Sequence, residues 1–233
     1  MRYVLTALLL ASLITRPGPA QASCDPHASD APGNWFAYAL RTGYSNIDGV
    51  RASLLEYRPF IPWEPFATRA TSAWVMLSRT GYPQFAQVGW LEWRGGVRNV
   101  FVQDWNGSGY PRFDFSKNPD WTYGEYQVLY TGTQFVFYNR GSRLHTATAA
   151  LNPDKGEMAT ETHNQLNQMP GDYGARSFMA FNAMNKRVGG LWSAYSANII
   201  GTSDNSKWYA SNARGGMDPY RQLVTADRRG DCA

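Results

Sequence analysis

Little in this chain supports a metal or thiol enzyme. Its 233 residues include two cysteines and three histidines. His27, His145 and His163 never fall into the His-Glu-x-x-His spacing of a zinc hydrolase, and two cysteines near opposite ends make no zinc site. Neither a metal nor a cofactor is expected. There is no Gly-x-Ser-x-Gly elbow for a nucleophilic serine. Charge is sparse: Asp, Glu, Lys and Arg make up 17% of the chain and the formal net charge is +4. Half of that excess is Arg2 and Arg16, and no Lys/Arg cluster marks a stripe, which argues against a nucleic-acid partner. Internal repeats are absent, and no window sustains a helical apolar stripe over three turns.

The first segment has the form of an export signal. Met1-Arg2 is a short positive start, Val4 to Ile14 is an apolar run, and Arg16, Pro17 and Pro19 stop it before the small-x-small sequence Ala20-Gln21-Ala22. The run is too short for a permanent membrane anchor, and no later run is long enough to be one. A signal peptide over residues 1–22, a secreted product and one domain over residues 23–233 are expected. In an oxidising compartment Cys24 and Cys232 read as a disulfide. Such a bond would close nearly the whole chain, for about 5 kcal/mol in the chain-entropy model, and would need the two ends to be neighbours.

Aromatic residues are abundant, at 15%. They suit strands and can also form a ligand platform. Short β-like runs separated by turn signals follow one another: Trp35–Leu40, Val50–Tyr57, Ala73–Leu77, Phe85–Trp93, Val97–Trp105, Tyr123–Tyr130, Gln134–Asn139, Arg143–Thr148, Met158–Asn164, Ser177–Asn182, Leu191–Tyr195 and Lys207–Ser211. Hairpin turns are expected at Tyr130–Thr133 and Asn139–Ser142, and loops at Gly81-Tyr82-Pro83, Arg58–Pro65 and Asn106–Pro111. The fold class is all-β, a two-sheet antiparallel β-sandwich for a compact monomer.

Two strands carry polar residues a plain sandwich does not need. Alternation puts Phe85, Gln87, Gly89, Leu91 and Trp93 on one face, so Gln87 sits among apolar neighbours. It also puts Ala159, Glu161 and His163 together, and a strand carboxylate among small residues suits a general base. A metal reading of Glu157, Glu161 and His163 spreads the ligands too far along one strand.

Trp74-Val75, then Gln87-Val88-Gly89, then Gly124-Glu125-Tyr126, then Ala159-Thr160-Glu161 stand in that order. Over Ser72 to Met184 the chain resembles the glutamic peptidases (eqolisins), secreted β-sandwich proteases of concanavalin A-like jelly-roll fold. It departs from that family in three places. The family's Trp-Tyr-x-Trp-Tyr-Pro run is absent, Asp104-Trp105 standing nearest to it; a polar Thr162-His163-Asn164-Gln165 follows the Glu; and Met76, not Gly, follows Trp74-Val75. The resemblance implies Glu161 as general base on water and Gln87 as the amide that orients the water and stabilises the oxyanion. Trp74, Trp90, Trp105 and His163 would line the substrate site. The alternative is a carbohydrate-binding or polysaccharide-active module whose platform is built from Trp90, Trp93, Trp105 and Trp121, with Tyr110 and Tyr123 nearby. The expected partner is an extracellular polypeptide or a polysaccharide.

Overall fold

The computed structural model describes residues 32–56, 70–93, 97–105, 112–116, 122–150, 152–164, 181–197, 199–202, 208–212 and 223–227. The expected signal segment, both cysteines, Tyr110, Trp121 and the Arg58–Pro65 and Asn106–Pro111 loops fall outside them. In chain order the strands are β1 (Pro32–Arg41), β2 (Ile47–Glu56), β3 (Ala70–Arg79), β4 (Tyr82–Trp93), β5 (Val97–Trp105), β6 (Arg112–Ser116), β7 (Thr122–Tyr130), β8 (Gln134–Asn139), β9 (Ser142–Thr148), β10 (Lys155–Asn164), β11 (Phe181–Val188), β12 (Leu191–Ala194), β13 (Ile199–Thr202), β14 (Trp208–Asn212) and β15 (Leu223–Asp227). No helix occurs among the described residues. The all-β expectation is met.

A seven-stranded sheet runs β13-β1-β10-β3-β4-β5-β6; an eight-stranded sheet runs β14-β15-β11-β2-β7-β8-β9, with β12 paired to β11. Neighbouring strands pair antiparallel. The core lies between the sheets. The seven-stranded sheet gives it Ala73, Val75, Leu77, Val88, Trp90, Val102 and Met158; the other gives Val50, Leu54, Tyr126, Val128, Phe135 and Phe137. These are alternate positions on each strand, as a one-sided apolar face requires.

Two of the differences from the sequence reading have local causes. β4 begins at Tyr82, directly after a tight turn at Thr80-Gly81, so Tyr82-Pro83 belongs to the strand rather than to a loop. β11 continues past Asn182 because Ala183 takes a left-handed φ of 48°, where the register with β2 shifts. The Asn182 side chain caps this bulge by accepting from the Ala183 N–H at 2.7 Å. β6, β13 and β15 are strands that the sequence reading lacked. The turn at Asn139–Ser142 has Arg140 at φ 50° and Gly141 at φ 76°, the two left-handed positions of a type I′ hairpin.

Candidate functional site

The outer face of the seven-stranded sheet is not the polar surface expected of a solvated sheet. A second apolar cluster lies there: Ala70, Trp74, Leu91, Phe101 and Ala159, with Tyr38, Met76 and Trp93 packed against it. Trp74 is only 4% exposed. Into this cluster the strands insert Gln87, Glu157 and Glu161.

Register fixes which of these side chains are neighbours. On β10, β3 and β4, Glu161 pairs with Ser72, and Ser72 with Leu91. Ala159 pairs with Trp74, and Trp74 with Gly89. Glu157 pairs with Met76, Met76 with Gln87, and Gln87 with Gln103 on β5. Cross-strand partners share a face. Gln87 and Glu161 therefore share the outer face, as alternation predicted. They are nonetheless four positions out of row, about 14 Å along the strands and about 10 Å across them at the usual strand spacings. The carboxylate in the row of Gln87 is Glu157.

Gly89 explains why a glycine follows Gln87-Val88. A Cβ there would lie 2.0 Å from the Ala73 carbonyl oxygen and 2.7 Å from Trp74 Cα and Cβ. With no side chain at Gly89 and a small one at Ala159, Trp74 lies across the middle of the face. Its Nε1–H donates to Glu161 Oε2 at 3.2 Å.

Both carboxyls hold their protons more tightly than usual. Burial pushes Glu161 up to about 7; the Trp74 hydrogen bond opposes this and the negative charge of Glu157 adds to it. Burial also raises Glu157, opposed by the Lys155 ammonium, which lies 3.7 Å from the carboxyl. The negative charge of each carboxyl disfavours ionisation of the other, so the two titrate as a coupled pair. Gln87 is 8% exposed, and its Nε2 donates to Gln103 Oε1 at 2.9 Å. Among the described residues no cluster of His, Cys, Asp and Glu could hold a metal ion.

The tryptophans divide. Trp90 faces the other sheet and is 0% exposed, so this ring, expected to line the substrate site, is a core residue. Trp74, Trp93 and Trp105 share the outer face, Trp93 and Trp105 being partly exposed. Trp121 and the side chain of His163 lie outside what the structure describes. Asp104 faces inward and is buried; burial raises its pKa, opposed by the charge of His145. The Glu125 of Gly124-Glu125-Tyr126 is in the other sheet, while its neighbour Tyr126 donates to the buried Glu56 Oε1 at 2.6 Å. That motif is thus structural and stands apart from Gln87. Glu157 escaped the sequence reading as a partner of Gln87. The available signal was its parity with Glu161 on one strand; the offset between β10 and β4 is not written in either segment.

No family model matches the chain, and no curated protein matches its sequence. Solved structures do match its shape. Scytalido-glutamic peptidase, bound to a peptide-based transition-state analogue, superposes with a TM-score of 0.58 at 12% identity, over 85% of this chain and 100% of that one. SCP-B, a member of the eqolisin family of peptidases in complex with the tripeptide Ala-Ile-His, gives 0.51 at 11% identity over the same shares. A Bacillus licheniformis β-glucanase gives 0.31 at 11%, over 60% of this chain and 56% of that one. At these identities the likeness is one of fold: this chain has the antiparallel β-sandwich architecture found in the eqolisin peptidases.

Proposed function

We propose that the outer face of the seven-stranded sheet is the active site of an exported peptidase that uses a carboxyl and an amide, without metal or covalent intermediate. The observation that carries this reading is the shared row of Gln87 and Glu157 on a largely apolar face. Ionised Glu157 takes a proton from water as the water oxygen attacks the peptide carbonyl. The Gln87 amide donates to the oxygen that becomes negative, and the proton passes from Glu157 to the departing amine. A buried, little-solvated setting strengthens both interactions. Glu161, the base expected from the sequence, is the second candidate; with a pKa of about 7 it stays protonated in acid and holds the Trp74 indole.

The test is cleavage of denatured casein by the mature protein between pH 3 and 8, beside Glu157→Gln, Glu161→Gln and Gln87→Ala. Loss of cleavage in Glu157→Gln and Gln87→Ala, with indifference to chelators and to serine or cysteine reagents, supports the assignment. Loss only in Glu161→Gln moves the base to that residue. A folded wild type that cuts nothing at any pH removes the peptidase reading. One observation favours a second reading: Trp93 and Trp105 are partly exposed on the same face, where a polysaccharide could stack on them.

A further inference from the structure

The row that joins Gln87 to Glu157 is interrupted. Between them stands Met76, paired with Glu157 on one side and with Gln87 on the other. Its side chain is partly buried and packs against the outer-face cluster. Two strand spacings separate the α-carbons of Gln87 and Glu157, about 10 Å. A water shared by the two groups would have to occupy the space above β3, the strand that carries Met76 between them. The two polar groups are meanwhile engaged elsewhere: the Gln87 amide donates away from Glu157, to Gln103, and the Glu157 carboxyl lies against Lys155.

We infer that Met76 is a gate: its side chain keeps the Gln87 amide and the Glu157 carboxyl apart in the resting protein, and the two can serve one substrate only when that side chain swings aside. A methionine suits this role. It is unbranched, has three rotatable bonds and repacks at little cost. A β-branched residue there would be fixed at χ1. Movement is needed only on the outer face, because the core-facing neighbours Val75 and Leu77 stay where they are. The gate regulates the site described under Proposed function and rests on that pairing, but it can be tested without catalysis.

The experiment is a carboxyl-carbon NMR titration of Glu157 in the full chain with labelled glutamate, assigned by Glu157→Gln. The groups facing Glu157 are Lys155 and Glu161 on its own strand, Met76 and Trp74 on β3, and Leu40 and the titratable Tyr38 on β1; Tyr195 also feels its charge. All remain in place in the variants except Met76. In the wild type, Gln87→Ala should leave the Glu157 midpoint where it is. In Met76→Gly the midpoint should fall by about one pH unit, as water and the amide reach the carboxyl, and adding Gln87→Ala should reverse part of that fall. Met76→Ala should give a smaller shift of the same sign, and serves if glycine weakens the strand too far. The gate is overturned if Gln87→Ala moves Glu157 in the wild type, or if neither Met76 variant moves it. Casein cleavage read in parallel should rise about tenfold or more in Met76→Gly. A shifted titration with no cleavage by any variant keeps the gate and removes the peptidase. Cleavage by the wild type with an unmoved titration in both variants does the reverse.

Discussion

The indole of Trp74 and the carboxyl of Glu161 meet diagonally across two strands, Nε1 to Oε2 at 3.2 Å, over the small side chain of Ala159. This contact ties a buried acid to the ring that spans the outer face. It gives the acid one donor and leaves burial as the larger influence on its proton.

Stability should therefore depend on pH through Glu161. Its folded pKa, about 7, is raised above the ordinary 4.5. A raised carboxyl is neutral in both states below the lower value, so its contribution to stability is fully present there. It is lost as pH rises from about 4.5 to about 7, where the unfolded chain ionises and the folded one does not. At about 1.4 kcal/mol per unit the loss is roughly 3 kcal/mol. Glu161→Gln keeps an acceptor for Trp74 and cannot ionise. Urea unfolding from pH 4 to 8 should show the variant gaining on the wild type across that window and level with it at pH 4. Parallel curves would remove Glu161 as the source.

Gly89 should tolerate no side chain. Two of the three atoms that a Cβ would strike are backbone, the Ala73 oxygen and the Trp74 Cα. They can yield only if β3 and β4 move apart. Gly89→Ala should cost roughly 2–4 kcal/mol in urea unfolding and displace Trp74, lowering the protection of its fluorescence from acrylamide. A variant as stable as the wild type would mean the strands separate more easily than their register implies.

Trp90 and Trp105 should behave as different kinds of tryptophan. Trp90→Ala empties a wholly buried place between the sheets and should cost roughly 3–5 kcal/mol. Trp105→Ala, on the outer face and partly exposed, should change stability by less than about 1 kcal/mol. If the outer face retains polysaccharide, Trp105→Ala and Trp93→Ala should weaken that retention in a pull-down. Equal stability losses for Trp90 and Trp105 would contradict the division.

Much of the site was legible from alternation alone. The outward set Phe85, Gln87, Gly89, Leu91 and Trp93 and the inward set Ala86, Val88 and Trp90 follow from the two-residue period of β4. That same parity made Trp90 core, although the density of tryptophans around it suggested a platform. What the strands do not carry is their mutual offset. The pairing of Glu157, rather than Glu161, with the row of Gln87 is set by how β10 docks on β3, far apart in the chain. Alternation is blind to a shift by four, which leaves every side chain on the same face. The missed strands are β6, β13 and β15, each five residues or fewer, too short for a period to show. β11 was cut short because a bulge at Ala183 breaks the alternation that would have revealed the rest of it.

The place of β1 bears on how the chain must be made. It lies inside the seven-stranded sheet, between β10 and β13, and the Thr160 hydroxyl donates to the Ala37 carbonyl 123 positions earlier. During synthesis β1 emerges before both of its partners, and it stays unpaired with them until β10 and then β13 have left the ribosome. Closing loops of that length is slow, and an unpaired strand is a template for other chains while it waits. Recovery from denaturant should therefore be slow and sensitive to protein concentration. A factor that covers β1 during that interval would raise the yield of native protein without affecting the finished molecule.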